Sequence, residues 1–148
     1  DVYARDFEED SPMARIRHIA MTAKDPDAVA AFYREAFDLE EIRRSENGAV
    51  FLSDGYINLA ILNYKTNEDA DVGPNGPNYD GIHHIGFQVD DLESASAKLD
   101  KVKGKRLQSR EAVDAAMGPQ GPRNFEMKWA GPSDVVIDVS HTGWQTSK

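Results

Sequence analysis

The amino-acid sequence repeats itself over two stretches, and this repetition constrains the fold more than any other feature. The segment SDGYINL at 53–59 returns as SDVVIDV at 133–139, and IRHIAMTAKD at 16–25 returns as IHHIGFQVDD at 82–91. Two segments that recur in the same order indicate the duplication of one unit. We therefore expect two halves of similar structure that meet around one shared site.

In the first half, the repeated segment leads into a helix that we predict at 25–37. Asp25 can serve as its N-cap, and Pro26 suits the first helical position because proline needs no hydrogen-bond partner there. Apolar side chains spaced three and four residues apart form the side that should face a sheet. These are Val29, Phe32, Tyr33 and Ala36.

The second half repeats this arrangement, with a helix predicted at 90–102. Asp90 followed by Glu93 resembles a capping box, in which the first side chain caps the helix and the second reaches back to it. The apolar side of this helix is predicted to consist of Leu92, Ala95, Leu99 and Val102.

Three short extended segments follow each helix. Asn47-Gly48 and Asp54-Gly55 are dipeptides that favour tight turns between antiparallel strands. We predict strands at 40–45, 49–53 and 56–62 in the first half, and at 105–109, 124–129 and 134–140 in the second. The predicted fold class is α+β, with two tandem βαβββ modules around one central cup and the helices outside.

The spacing of the repeats predicts the domain organisation. The histidines of the repeated first strand are 66 positions apart, whereas Asn58 and Asp138 are 80 apart, so the second half carries about 14 additional residues. We place these in the Gly- and Pro-containing loop 109–123. The expected organisation is a flexible N-terminal arm at 1–13 and a single domain at 14–148, with module one at 14–64, a linker at 65–80 and module two at 81–143.

Composition excludes several classes of function. The 148 residues include no cysteine, so disulfides and thiolate metal sites are excluded. The 17 basic and 26 acidic residues give a net charge of −9, which argues against nucleic acid as a partner. No apolar run approaches the ~20 residues of a membrane span, and the acidic N-terminus does not resemble a secretion signal. We therefore expect a cytoplasmic protein without a membrane partner.

Strand alternation places four polar residues at matching positions on one side of the sheet. His18, Asn58, His84 and Asp138 all lie opposite the apolar side chains that should face the helices. Two neutral imidazoles and one carboxylate form a facial set of metal ligands that leaves positions open for water or substrate. We predict His18, His84 and Asp138 as the ligands of a divalent ion, with Asn58 as a weaker counterpart of Asp138. The alternative is a metal-free pocket whose histidines are satisfied by hydrogen bonds.

Two further residues are candidates for catalysis. If the apolar residues of strand 124–129 pack beneath the helix, Glu126 and Lys128 face the cup, where Glu126 could act as general base or acid. We favour a solvated strand face for this pair, because Glu and Lys side chains are mostly exposed. Tyr56 shares a side with Asn58, so it could hydrogen-bond a substrate oxygen or simply fill the wall of the cup.

The two remaining histidines are predicted to lie outside the ligand set. His83 is adjacent to His84 and should point to the opposite side of the sheet, in a structural role. His141 lies beyond the last strand. It is an odd number of positions from Asp138, so alternation would point it to the other side of the sheet, which favours a surface position or an indirect role behind the ligands.

These motifs resemble the vicinal oxygen chelate superfamily, which includes glyoxalase I, methylmalonyl-CoA epimerase, extradiol dioxygenases, fosfomycin-resistance transferases and bleomycin-resistance proteins. The resemblance extends over about 14–141 and is carried by RHIAM, DPDAVAAFYREAFDLEE, GIHHIGFQVDDLESA and GPSDVVIDVS. It implies that the paired βαβββ modules form a curled mixed sheet with a central metal-binding cup, and that the metal ligands lie on the first and fourth strands of each module. By position, the ligands it implies are His18, His84 and Asp138, where aspartate replaces the more usual glutamate.

The resemblance also implies a class of activity. Its fourth ligand position falls on Asn58, a candidate fourth ligand or substrate contact whose amide cannot serve as a carboxylate base. This departure favours dioxygenase-like chemistry, which needs only two histidines and one carboxylate. An isomerase or lyase that uses a metal-stabilised enolate is the alternative, and a protein that only sequesters a small molecule is the second alternative. The implied cofactor is a divalent ion (Fe, Mn, Zn, Ni or Co), the implied partner is a small-molecule substrate, and the implied assembly is a homodimer.

Overall fold

The computed structural model describes residues 14–65, 77–107 and 126–148. In these ranges the chain forms one eight-stranded sheet, two α-helices and a single 3₁₀ turn at Pro132–Asp134. The first module consists of β1 (Arg15–Thr22), α1 (Pro26–Phe37), β2 (Glu40–Arg44), β3 (Val50–Ser53) and β4 (Asn58–Leu62). The second consists of β5 (Gly81–Gln88), α2 (Leu92–Lys101), β6 (Lys105–Arg106), β7 (Met127–Ala130) and β8 (Val136–Ser140).

The strand order confirms the predicted duplication and fold class. The sheet runs β2-β3-β4-β1-β5-β8-β7-β6, so the two modules meet at β1 and β5, which pair antiparallel in its middle. Within each module the first strand pairs in parallel with the fourth, β1 with β4 and β5 with β8. This mixed sheet is curled without closing into a barrel. The first and fourth strands of both modules are therefore neighbours, and their equivalent residues lie close together.

Helix α1 begins as predicted but packs through a slightly different set of residues. The Asp25 carboxylate accepts a hydrogen bond from the Ala28 amide at 3.1 Å, and Pro26 occupies the first turn. Ala30 is fully buried against the sheet, while Val29 and Tyr33 are partly buried beside it. The prediction for Phe32 was wrong, because its side chain is 62 % exposed. The contact is centred on Ala30, so it does not extend as far around the helix as Phe32.

Helix α2 starts one residue later than predicted. Its N-cap is Asp91 rather than Asp90, and the Asp91 carboxylate accepts hydrogen bonds from the amides of Glu93 and Ser94 at 2.8 and 3.1 Å. At the other end Val102 is 74 % exposed, because the helix ends at Lys101 and the side chain projects past the sheet. Leu92, Ala95 and Leu99 pack as predicted on a core of Val89, Met127, Trp129 and Val139.

The strands near the cup are shorter than the sequence suggested. β4 starts at Asn58 because the Asp54 carboxylate accepts hydrogen bonds from the amides of Tyr56 and Ile57, which holds these residues in a turn. β8 starts at Val136, after Ser133 and Asp134 adopt left-handed conformations. Within the described residues, neither helix is both long and apolar enough to cross a membrane. The predicted arm 1–13, the loop 109–123 and most of the linker 65–80 lie outside the described ranges.

Candidate metal centre

The three predicted ligands come together at the middle of the sheet. His18 lies on β1, His84 on β5 and Asp138 on β8, which are three consecutive strands of the sheet. All three are buried, and one nitrogen or oxygen atom from each lies within 4.8 Å of the others. His18 Nε2 is 3.1 Å from His84 Nε2, and His84 Nε2 is 3.2 Å from Asp138 Oδ2.

Asn58 orients His18 and does not point at this centre as a fourth ligand. Its side-chain nitrogen donates to the Gln145 carbonyl at 2.7 Å, which fixes the direction of the amide. Its oxygen lies 2.8 Å from His18 Nδ1, and since an amide oxygen can only accept, His18 donates from Nδ1. The lone pair of neutral His18 is therefore on Nε2 and faces the centre. Partners behind metal ligands typically orient them in this way. Asn58 also lines the cavity, so its role as a fourth ligand or substrate contact stays a prediction.

His83 lies beside His84 instead of on the opposite side of the sheet. The pairing of β1 with β5 shifts between Ala20 and Met21, so that His83 is the additional residue of a β-bulge. The bulge breaks the strand alternation, and His83 Nδ1 comes within 2.7 Å of His84 Nδ1. Its ring also meets Tyr64 edge to face, with centroids 5.1 Å apart. His83 can accept a hydrogen bond from His84 Nδ1, which would leave the His84 Nε2 lone pair facing the centre.

Asp138 is paired with a buried lysine. Lys128 lies directly opposite Asp138 in the register of β7 and β8, and its ammonium is 2.9 Å from each of the two carboxylate oxygens. The same ammonium is 3.3 Å from Glu126 Oε2. Glu126 and Lys128 thus face the cup, as the alternation predicted, because Met127 and Trp129 pack beneath α2. One ammonium is shared by two carboxylates.

Both histidines are held neutral by their surroundings. Burial lowers the pKa of His18, and the Lys128 ammonium lowers it further, against the opposing effects of Glu126 and the hydrogen bond to Asn58. Burial lowers the pKa of His84 to about 2, with further contributions from Lys128 and from the neighbouring histidines. Neutral imidazole is the form that binds metal, so neither ring needs to lose a proton at neutral pH.

The surroundings shift the pKa values of Asp138 and Glu126 in opposite directions. Burial raises the pKa of Asp138, and the nearby Glu126 adds to this shift while Lys128 opposes it. Burial would also raise the pKa of Glu126. The Lys128 ammonium, the side-chain interaction with Asp138 and the hydrogen bond from Trp144 outweigh burial and lower the pKa overall. Glu126 is therefore the more acidic of the pair, and it presents a carboxylate to the cup.

Two of the three distances between donor atoms match those of adjacent ligands on a divalent ion, and all three atoms lie within 4.8 Å of one another. Ligand atoms about 2.1 Å from a metal and adjacent to each other lie about 3.0 Å apart in octahedral and about 3.4 Å apart in tetrahedral geometry. The 3.1 Å between the imidazole nitrogens and the 3.2 Å from His84 to Asp138 fall in this interval. Two imidazoles and one carboxylate suit Fe, Mn, Co, Ni or Zn. His18, His84 and Asp138 would hold such an ion.

A cavity of about 250 Å³ opens onto the centre. One wall is the indole of Trp144, which stacks on the His18 ring at 4.8 Å and donates from Nε1 to Glu126 Oε1 at 2.6 Å. Gly143, in a left-handed conformation (φ 72°), turns the chain back so that Trp144 reaches the sheet. The rest of the lining includes Arg43, Phe51, Tyr64 and Gln145. A more open depression of about 600 Å³ between α1 and the end of β1 contains none of the three ligands.

Replacing Gly86 by alanine is expected to destabilise the protein by about 1–3 kcal/mol, the usual cost of overpacking. A methyl group at this position would approach His18 Cβ and two atoms of the Trp144 ring to 2.7 Å. His18 Cβ is fixed by the strand, so the strain must displace β5 or Trp144. Denaturant unfolding of both proteins measures the effect, and an unchanged free energy of unfolding would show that the stacked arrangement of Trp144 is not populated.

Two other predicted residues lie away from the cup. Tyr56 precedes β4 and is 46 % exposed, with the Arg17 guanidinium 4.2 Å above its ring. It is not part of the cavity lining, because the turn at Asp54 interrupts the alternation that would have placed it beside Asn58. His141 is exposed just after β8, in agreement with the surface alternative.

Sequence reasoning missed several residues around the centre. Arg43 lines the cavity over the Phe51 ring at 3.9 Å, and Trp144 reaches it from beyond the last strand. No periodicity marks either residue. The pairing of Lys128 with Asp138 did have a signal, since both were predicted to face the cup from strands that follow one another and carry opposite charges.

Comparison with known proteins shows the family of the chain. The Glyoxalase/Bleomycin resistance protein/Dioxygenase superfamily matches the chain over residues 15–116. The mitochondrial methylmalonyl-CoA epimerase of Mus musculus is 26 % identical over 118 residues, which cover 74 % of this chain. The matched region spans 66 % of the length of that relative.

Solved structures share the fold at low sequence identity. A variant of Streptomyces coelicolor methylmalonyl-CoA epimerase, in complex with 2-nitronate-propionyl-CoA, superposes with a TM-score of 0.59 at 22 % identity and covers 91 % of this chain and 99 % of its own. The 2,3-dioxygenase of Pseudomonas sp. KL28 has a TM-score of 0.61 at 18 % identity and covers 90 % of this chain and 42 % of its own. The matched sequence, the duplicated modules and the shared fold lead to one conclusion: the chain belongs to the glyoxalase/bleomycin resistance protein/dioxygenase superfamily.

Proposed function

We propose that this protein is a divalent-metal-dependent enzyme that acts on a small substrate through two neighbouring oxygen atoms, with dioxygenase-like chemistry. The observation that supports this best is the number of donors. Within residues 14–65, 77–107 and 126–148, three side chains converge, and the fourth candidate, Asn58, directs its oxygen at His18 instead. Two histidines and one carboxylate on one side of an ion are the ligand set of non-haem iron oxygenases.

An ion held by these three side chains would leave room for a substrate that binds it through two oxygen atoms, which this chemistry requires. A bound divalent ion would lower the pKa of a coordinated substrate hydroxyl and polarise the bonds next to it. In this proposal His18, His84 and Asp138 hold the ion, and the cavity side chains orient the substrate.

The cavity suggests what kind of substrate fits. Its volume of about 250 Å³ lies below the roughly 300–1,000 Å³ of drug-sized sites, which favours a small molecule or the reacting end of a larger one. Trp144 and Phe51 supply flat apolar walls, and the Arg43 guanidinium offers a cation to an anionic substituent. Glu126 can accept a proton from the substrate, and its contacts with Lys128 and Trp144 hold it in place.

Enolate chemistry, as in an epimerase, is the second candidate. Glu126 favours it, because a carboxylate beside the open side of the centre could remove a proton next to a carbonyl group. The similarity to a methylmalonyl-CoA epimerase supports the same reading. The hydrogen bonds to both oxygens of Glu126 weaken it as a base, and this is why we place dioxygenase-like chemistry first.

One pair of assays distinguishes these reactions. In the first assay, protein is reconstituted with Fe²⁺ under anaerobic conditions, catechols are added, and oxygen uptake is measured after air is readmitted. In the second, protein loaded with Co²⁺ is incubated with methylmalonyl-CoA in deuterium oxide, and deuterium incorporation is measured. Substrate-dependent oxygen uptake that His84→Ala abolishes would support the dioxygenase reading. Deuterium incorporation without oxygen uptake, lowered at least about a hundredfold in Glu126→Gln, would replace it by the epimerase reading. Tight retention of a ligand without turnover would instead indicate sequestration.

The predicted homodimer stays a prediction, which light scattering tests.

A further inference from the structure

The pairing of Asp138 with Lys128 has a consequence for the metal centre. Both side chains are almost completely buried, with exposures of 0 % for Asp138 and 5 % for Lys128. The ammonium contacts both carboxylate oxygens at the same distance, 2.9 Å. One of these oxygens, Oδ2, is also the atom that lies 3.2 Å from His84 Nε2 and completes the candidate ligand set.

A divalent ion held by this set would therefore share a ligand oxygen with a cation that the chain itself supplies. Two like charges that share one buried oxygen repel each other strongly, because water cannot screen them there. The ammonium also competes with the ion for the negative charge of the carboxylate. In the metal-free protein the same ammonium compensates the charge of a carboxylate that would otherwise be buried alone, which is costly.

We propose that Lys128 is an internal cation that competes with the divalent metal for Asp138 and so sets the metal affinity of the site. The inference rests on the proposed metal-dependent function. Glu126 provides the alternative partner that this competition requires, since its Oε2 lies 3.3 Å from the ammonium and its side chain borders the cavity. When metal binds, the Lys128 ammonium shifts its pairing from Asp138 towards Glu126. Lys128 thus acts through Asp138 as a positioning residue and does not itself touch the substrate.

The test measures metal affinity directly and does not depend on activity. Co²⁺ binding is measured by competition with a chelating indicator at fixed pH and ionic strength, in the wild type, Lys128→Met and Lys128→Gln. Lys128→Gln keeps a hydrogen-bond donor near Asp138, so it reports the same loss of charge if Lys128→Met does not fold. Lys105→Met is the matched control, since it removes one positive charge from an exposed position on β6.

We expect both Lys128 variants to bind Co²⁺ about tenfold more tightly or better, a modest fraction of the Coulomb energy between charges a few ångströms apart. Lys105→Met should match the wild type. Equal or weaker binding in both Lys128 variants, or equal tightening in the control, would overturn the inference and leave the proposed function intact. Binding by the Lys128 variants alone would support the inference and contradict a metal-dependent function of the wild type. No binding by any of the proteins would overturn both.

Discussion

Replacing Asp138 by alanine is expected to destabilise the metal-free protein by about 3 kcal/mol, far more than the loss of a surface ion pair. Removal of one partner from a buried pair typically costs about 3–5 kcal/mol, because the remaining charge stays buried without compensation. Here the remaining charge is the Lys128 ammonium, whose side chain is 5 % exposed. Glu126 Oε2 at 3.3 Å stays as a partial partner, which places the expected cost at the lower end.

The control for this prediction is the double variant Lys128→Met/Asp138→Ala. It removes both charges, so the cost of an isolated buried ammonium disappears and the double variant should be more stable than Asp138→Ala alone. Both variants are compared with the wild type by urea unfolding in the presence of EDTA. A loss below about 1 kcal/mol in the single variant, or no recovery in the double variant, would contradict the buried pair described here.

The second large expected effect is that His84 makes the free energy of unfolding depend on pH. Its pKa is about 2 in the folded protein and 6.5 as the ordinary value in the unfolded chain. As the pH falls below 6.5, His84 binds a proton in the unfolded state but stays neutral in the folded state. The free energy of unfolding therefore decreases progressively down to about pH 2. One such group costs about 1.4 kcal/mol for each pH unit in this range.

Comparison with His84→Asn isolates this contribution. The raised pKa of Asp138 acts in the opposite direction, since it favours the folded state as the pH falls, but Asp138 is present in both proteins. Between pH 6 and 4 the wild type should lose about 2.5 kcal/mol more than the variant when metal is chelated. The free energy of unfolding is measured in urea at each pH. If the free energies of unfolding of wild type and variant change equally with pH, His84 must bind a proton in the folded state, which would contradict its lowered pKa.

The convergence of His18, His84 and Asp138 could be predicted because it depends on features that are periodic in sequence. Alternation along a strand assigns His18 and Asp138 to the same side of the sheet, and the duplication brings their strands to its centre. Neither argument requires knowledge of the loops. The same reasoning raised the cup-facing position of Glu126 and Lys128, although it favoured a solvated strand face for them.

The positions of some side chains were predicted wrongly or missed where local geometry interrupts the regular alternation along a strand. The bulge at His83 turns this ring towards His84, and nothing in the sequence IHHIG marks it. The turn at Asp54 removes Tyr56 from the strand, although Asp-Gly was recognised as a turn signal. Trp144 could not be predicted, because its position depends on a single left-handed glycine after the last strand. Single-residue irregularities of this kind determine the surroundings of the ligands.

Bound metal per chain is the most direct test of the central claim, which is that His18, His84 and Asp138 hold one divalent ion between the two modules. Wild type, His84→Ala and Asp138→Ala are dialysed against a small excess of Co²⁺ and freed of unbound ion, and the cobalt that remains is measured by plasma mass spectrometry. The account predicts one ion per chain in the wild type and none in either variant. Equal cobalt content in all three proteins would contradict it.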